Sequence, residues 1–394
     1  MALYDGPLFD SDNHLYEAED AFTRHVPPGM RHRCVQWVQI GKKRYHMVGG
    51  KVSYMVGNPT FNPISKPGAL RPYYRGNPEG KSFAELIRSS LEPMPPEYMD
   101  RDARVERVEE QGLAGVWIFP TAGVLYEEAL SKDTAALCTT TRAFNRWLDE
   151  DWSLAYKGKL FCAPYITLAD VDWACEELEW ALERDARIIV MRPSPVRTPL
   201  GLRSACDPQF DPFWARVNEA GITVVAHVGS NPYHANGYGG HSTEAALGGG
   251  NKPSVANMIP ERAIYDFLIT LAYDKLFERF PNLRIASIEN GSAFIRDLFR
   301  KLESSKIRMP HYYGEDPVEL FKTHVWINPF WEDDTREVIE YMGADQVIFG
   351  SDWPHMEGLE RPRDIFEELD GISLADQKRF LHDNTAALNE LRPS

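Results

Sequence analysis

Four polar clusters, each at the end of an apolar run, carry the residue types that bind metal ions. The first is Asp10-Ser11-Asp12-Asn13-His14-Leu15-Tyr16-Glu17. The second is Val224-Val225-Ala226-His227, followed by His234 and His241 in a Gly-rich stretch. The third is Ile288-Glu289-Asn290, and the fourth is Gly350-Ser351-Asp352-Trp353-Pro354-His355. Carboxylates and imidazoles gathered at the same ends of parallel strands are the donors needed to hold a hard or borderline cation with one position open.

Asp12 and His14 are two apart, so in a strand they share a face and can hold one ion. The alternative is an Asp-x-His turn making ordinary loop hydrogen bonds. Glu17 reaches the same mouth as a further ligand and is equally placed to cap the next segment. A lone histidine such as His227 at a strand end is more often a satisfied core residue; three other clusters with the same placement favour a ligand. His234 is also a candidate ligand, although loop histidines, His241 among them, are usually solvated. Glu289 follows Ile285, Ala286 and Ile288, where a bare carboxylate is costly. It is read as a ligand or an acid/base, against a salt bridge to Arg187 or Arg192. Asp352, between a buried run and a Pro-broken turn, is read as both ligand and catalytic residue, against a turn-capping role. His355 is a ligand, a partner of a ligand or a general acid/base. Trp331 and Trp353 are expected to wall the pocket.

These residues need a scaffold that brings strand ends together. Eight short, mostly apolar runs read as buried parallel strands: Pro7–Asp12, Ala114–Pro120, Leu160–Ile166, Arg187–Arg192, Thr223–Val228, Arg284–Glu289, His324–Asn328 and Gln346–Ser351. Helical spacing separates them at Tyr126–Leu148, Asp170–Arg184, Pro212–Ala220, Ile264–Phe280, Ala293–Glu303 and Leu374–Leu391. Asp170 and Asp334 are expected N-caps, and Gly221 and Gly343 expected helix-ending glycines. This alternation predicts an α/β fold, a (β/α)8 TIM barrel in a single domain over 1–394. An insertion at 18–107, between strands one and two, is expected to roof the active site, and the Gly-rich loop 230–260 to form a wall or lid.

The 394 residues are 43% hydrophobic, ample for a large core, and carry a formal net charge of −15. That charge argues against nucleic-acid or anionic-membrane partners, which require a basic face. No apolar run approaches the roughly 18 residues of a membrane span, and the N-terminus lacks a signal-peptide pattern. The 5 cysteines are scattered, with no C-x-x-C pair, which predicts neither disulfides nor a thiolate zinc site and fits a reducing cytoplasm.

In these motifs the chain resembles the amidohydrolase superfamily, in the branch shared by aromatic-acid decarboxylases and related hydrolases. The resemblance rests on Asp12-Asn13-His14, His227-Val228-Gly229, Phe280-Pro281-Asn282-Leu283-Arg284, Phe349-Gly350-Ser351-Asp352-Trp353-Pro354-His355 and the closing Asp383-Asn384-Thr385-Ala386-Ala387-Leu388. It implies a divalent metal on Asp12, His14, His227 and Asp352. Two departures stand out: Asp12 replaces the first histidine of the usual His-x-His, and Glu289 stands where strand six commonly carries an active-site histidine. With no ligating lysine at the end of strand four, a carbamylated-lysine binuclear zinc site is not expected.

The expected activity is cleavage of a C–X bond, by hydrolysis or non-oxidative decarboxylation, in a small carboxylated substrate. Arg71 and Arg75 are expected to clamp that carboxylate. The cofactor is one or two divalent ions (Zn, Mn or Fe). The donor surplus, with a similarity of Asp-Asn-His-Leu-Tyr-Glu to dinuclear non-haem oxygenases of the same fold such as 2-aminoisobutyrate hydroxylase, makes a dinuclear Fe/Mn monooxygenase the alternative. A non-catalytic paralogous subunit is the third reading. A homo-oligomer is expected, or a hetero-oligomer with a paralogue.

Overall fold

A computed structural model of the chain describes residues 3–230, 233, 259–330 and 333–393. His234, His241, Trp331 and nearly all of the Gly-rich 230–260 stretch lie outside the described residues.

Seven of the expected strands form: β1 (Leu8–Leu15), β2 (Leu113–Pro120), β3 (Leu160–Cys162), β4 (Ile188–Met191), β5 (Thr223–His227), β6 (Arg284–Ile288) and β7 (Val325–Ile327). β1, β2 and β3 run parallel in one sheet; β4, β5, β6 and β7 run parallel in another. Every residue of β4, β5 and β6 is buried, as the uninterrupted apolar runs require of strands covered on both faces. The regular ladders do not run round as one closed sheet. Isolated parallel bridges join their edges instead, at Tyr165–Val190, Ile327–Val347 and Asn13–Trp353.

Two expected strands are shorter or less regular than their sequence suggests. β3 stops at Cys162 because Pro164 has no N–H for the ladder; its carbonyl still accepts from Val190 N at 3.0 Å. The expected strand 346–351 forms no ladder, only an isolated bridge from the extended Val347 to Ile327. Ala344–Gln346 is a 3-10 turn, and Phe349 N donates to Phe380 O at 3.0 Å rather than to a neighbouring strand.

The helices are α1 (Arg101–Glu110), which was not expected, and α2 (Thr134–Trp152), α3 (Val171–Leu182), α4 (Asp211–Ala220), α5 (Arg262–Tyr273), α6 (Ile295–Arg308) and α7 (Thr335–Met342). The helix expected over 264–280 divides into α5 and Leu276–Arg279, and that over 374–391 into Leu374–Lys378, a π turn at Arg379–Asp383 and Asn384–Leu388. Asp170 caps α3 by accepting from Trp173 N, and Asp334 caps α7 by accepting from Arg336 N and Glu337 N. Gly221 ends α4 in the left-handed region at φ 57°. The helix expected over 126–148 is broken: Glu127–Leu130 ends early and α2 restarts where Asp133 accepts from Ala136 N. No described helix is long and apolar enough to cross a membrane. The five cysteines form no disulfide.

Between β1 and β2 lie the antiparallel strands Gln36–Ile40, Lys43–Val48 and Lys51–Val52, the short helices Arg71–Tyr74 and Phe83–Ser89, and α1. This segment touches the strand-eight turn through Gly68 N to His355 O at 3.2 Å and Leu70 N to Met356 O at 2.7 Å.

Candidate metal centre

Because the strands are parallel, their C-terminal ends share one face, and the four clusters converge there. Asp12 and His14 stand near the end of β1, His227 ends β5, Glu289 follows β6, and Asp352 follows the 346–351 stretch. None of the five is more than 5% exposed. His14 Nε2 lies 3.2 Å from His227 Nε2, 3.4 Å from Asp12 Oδ1, 3.6 Å from Glu289 Oε2 and 3.5 Å from Asp352 Oδ1. His227 Nε2 lies 3.7 Å from Asp12 Oδ1 and 3.3 Å from Glu289 Oε2. Donors bound at about 2.1 Å around one ion stand roughly 3.0–3.5 Å apart, so this spacing is that of a coordination shell.

The donor chemistry fits a cation. His227 Nδ1 donates to Val228 O at 2.8 Å, which leaves the Nε2 lone pair facing His14. Both carboxylate oxygens of Asp12, Oδ2 of Asp352 and Nδ1 of His14 are buried without a hydrogen-bond partner. Polar atoms this deep are costly unless a proton or a metal satisfies them. The titration behaviour agrees. Burial alone would lower the His14 pKa, yet Asp12 and Glu289 push it up to about 9. Burial, then the charges of Glu289 and Asp12, pushes Asp352 well above the usual carboxylate range. Opposed groups that both draw protons mark a place where a divalent cation would replace them.

Backbone geometry aims these side chains. Glu289 and Asp352 both adopt left-handed φ, 56° and 55°, a conformation that costs a non-glycine residue on the order of 1 kcal/mol or more and gathers at functional sites. Next to Asp352, a Cβ on Gly350 would lie 2.5 Å from the Asp12 Cβ, so only glycine lets strand one and the 346–351 stretch approach this closely. Gly350→Ala is therefore expected to displace Asp12 and weaken metal binding at least tenfold, on the order of a misplaced ligand shell. Wild-type metal affinity in a calorimetric titration of that variant would contradict this.

His355 stacks on His14 with ring centroids 3.9 Å apart. Its Nδ1 lies 2.8 Å from Asp352 Oδ1 and its Nε2 2.9 Å from Thr121 Oγ1. Burial and the neighbouring His14 and His227 hold its pKa well below the ordinary histidine value. His14, Glu289, Asp352 and His355 thus form a second donor group overlapping that of Asp12, His14, His227 and Glu289.

Other expected site residues sit elsewhere. Glu17 Oε1 accepts from Ala122 N at 2.8 Å and Gly123 N at 2.9 Å, and it belongs to neither donor group. Arg192 does not pair with Glu289: its guanidinium meets Glu127 at 3.1 Å and Glu128 at 2.7 Å. Arg187 pairs with Asp185 at 3.0 Å. Arg71 and Arg75 line a cleft beside the 346–351 stretch with Phe330 and Glu357, and both donate to Glu368, at 3.1 and 2.8 Å. Trp353 is held to β1 by its backbone (His14 N to Trp353 O, 2.9 Å), with its ring against Tyr98 and Arg104.

The sequence reading passed over Asp10, Arg104, Thr121 and Glu357. Glu357 lines the cleft; burial, then the charge of Glu289, raises its pKa to about 7.

Parallel strands carrying a buried Asp, Glu and His cluster at their C-terminal ends define a metal-binding α/β protein of the enzyme type. The amidohydrolase family model matches residues 101–389, and the chain belongs to that family of enzymes. A solved amidohydrolase from Mycobacterium avium subsp. paratuberculosis K-10 is 37% identical, covering 99% of this chain and 100% of that one with a TM-score of 0.91. A dihydroxybenzoic acid decarboxylase from Polaromonas, solved with bound manganese and 2-nitroresorcinol, is 20% identical over 82% of this chain and 93% of that one, with a TM-score of 0.60. A 5-carboxyvanillate decarboxylase from Novosphingobium aromaticivorans, also with bound manganese, is 14% identical over 98% of this chain and 99% of that one, with a TM-score of 0.57. No curated protein matches the chain.

Proposed function

We propose that this chain is a metal-dependent enzyme that cleaves a C–X bond, by hydrolysis or non-oxidative decarboxylation, in a small carboxylated substrate. The observation that carries the reading is the buried set Asp12, His14, His227 and Glu289 with Asp352, in which both oxygens of Asp12 and Oδ2 of Asp352 have no hydrogen-bond partner. The likeness in fold to manganese-bearing decarboxylases supports it. On this reading the strands, with the bridges between their edges, make a (β/α)8 barrel, and the segment between β1 and β2 roofs its mouth.

Asp12, His14, His227 and Asp352 would hold the cation. A divalent ion there polarises a substrate carboxylate or carbonyl, or lowers the pKa of a water. Glu289 and His355 flank that position as acid/base groups, with the His355 ring held by Thr121. Arg71 and Arg75 offer the cleft two guanidinium forks for a carboxylate, in exchange for their bonds to Glu368.

The two overlapping donor groups favour a second reading, a dinuclear non-haem Fe/Mn oxygenase in which Glu289 would be a further ligand. Glu289→Gln separates the two. On the leading reading the variant keeps its single metal and loses turnover of hydroxylated benzoates by about 100-fold or more, the range of a lost acid/base group. Loss of one of two metals per chain, by elemental analysis, would favour the oxygenase.

A further inference from the structure

Against the backbone that carries two of the metal donors lies a buried guanidinium with no carboxylate partner among the described residues. Arg104, on α1, is 0% exposed, and it forms no ion pair among the described residues. Its guanidinium donates to the carbonyl of His14 at 2.7 Å, the side-chain oxygen of Asn13 at 3.3 Å and the carbonyl of Glu97 at 2.7 Å. Its carbon also lies 4.8 Å from the Trp353 ring centroid. From Asn13 the chain of contacts continues. Asn13 Nδ2 donates to Asp10 Oδ2 at 2.6 Å, and Asp10 accepts from Ser351 Oγ at 2.5 Å and Ser351 N at 2.8 Å. Trp353 N donates back to Ser351 Oγ at 3.1 Å.

The placement of these partners is specific. Asn13 lies between Asp12 and His14, and Ser351 and Trp353 flank Asp352. The network therefore holds the backbone on both sides of each of these three donors, across the strand-one to strand-eight seam. It also accounts for the irregular register of β1 between Asp10 and Asn13, where the Asp12 N–H turns to Asp10 Oδ1 at 3.1 Å. We propose that Arg104 and Asp10, joined through Asn13, are positioning residues for the metal centre, and that Arg104 is its built-in counter-cation. A guanidinium suits the role because its planar fork reaches a carbonyl and an amide at once and stays charged when buried.

The proposal rests on the metal-centre reading given above. Its test is Mn²⁺ titration by calorimetry of the full chain after chelation, together with thermal melts of the metal-free protein, for Arg104→Met, Asp10→Asn and the double variant. The expected result is Mn²⁺ affinity weakened about 10- to 100-fold in each single variant, the range for partners that orient ligands. The double variant should then be no weaker than the worse single one, because both act through one network. Melts lowered with Mn²⁺ affinity within twofold of wild type would overturn the proposal by making these residues merely structural. Additive losses in the double variant would overturn the connection through Asn13. If Arg104→Met does not fold, Asp10→Asn, which keeps the side-chain shape, decides alone. A wild-type chain that fails to bind Mn²⁺ would instead overturn the metal-centre reading itself.

Discussion

Asp352→Ala is expected to strip the protein of tightly held divalent metal and of turnover while leaving it folded. Asp352 is fully buried; its Oδ2 lacks a hydrogen-bond partner and its Oδ1 lies 2.8 Å from His355 Nδ1. Its left-handed backbone brings Oδ1 to 3.5 Å from His14 Nε2. Deleting a ligand should cost more than the roughly 10- to 100-fold lost when only an orienting partner is removed. The variant also makes an unusual stability prediction. In chelator, Asp352 is a buried carboxyl repelled by Glu289 and Asp12, so its ionised form opposes folding. Metal-free Asp352→Ala should melt no lower than the metal-free wild type above neutral pH, although most buried truncations destabilise. Wild-type metal content in the variant would sink the assignment. A much lower melting temperature in chelator would show that Asp352 is structural.

The second large effect is a pH dependence that metal removes. His14 is held up to about 9 against a reference of 6.5. Between those values the folded chain keeps a proton that the unfolded chain has lost, so stability is full below about 6.5 and falls as pH rises towards 9. Asp352, also raised, acts in the same sense. Asp10 and Glu17, each raised to about 7 by burial, and Glu357 add to the loss below neutrality. His355, His46 and His324 are lowered, chiefly by burial. Their stabilisation is complete above about 6.5 and disappears as pH falls, so it does not affect the range from pH 7 to 9. The chelated protein should therefore lose several degrees of Tm between pH 7 and 9, whereas the Mn²⁺-loaded protein should stay nearly level, the cation having replaced those protons. A chelated Tm that is flat or rises with pH would contradict the proposed cluster.

Much of this site was legible because strand ends in a parallel sheet share a face. Asp12, His14, His227, Glu289, Asp352 and His355 were each marked by polar chemistry at the end of an apolar run, and the structure brings them together. The eighth strand was legible as an extended run but not as an irregular one, since nothing local shows that Phe380 O takes the Phe349 N–H. Arg104 was missed because Arg-Asp-Ala-Arg-Val-Glu-Arg-Val-Glu-Glu reads as a solvated, charge-rich helix. The available signal was its position: Arg104 sits four residues before the buried Val108 and next to Val105, on the inward face. Arg71 and Arg75 illustrate the opposite limit. The sequence marked two arginines near the mouth, but their partner Glu368 is almost three hundred residues away, and no local pattern reveals such a pairing.

Elemental analysis of metals per chain, on protein expressed with Fe, Mn and Zn all available, decides whether the clustered donors hold an ion. The expected result is close to one divalent ion per chain, about the number that one set of four or five facing donors holds, and its loss in Asp352→Ala. A wild-type chain that contains no metal and does not take up Mn²⁺ would contradict it.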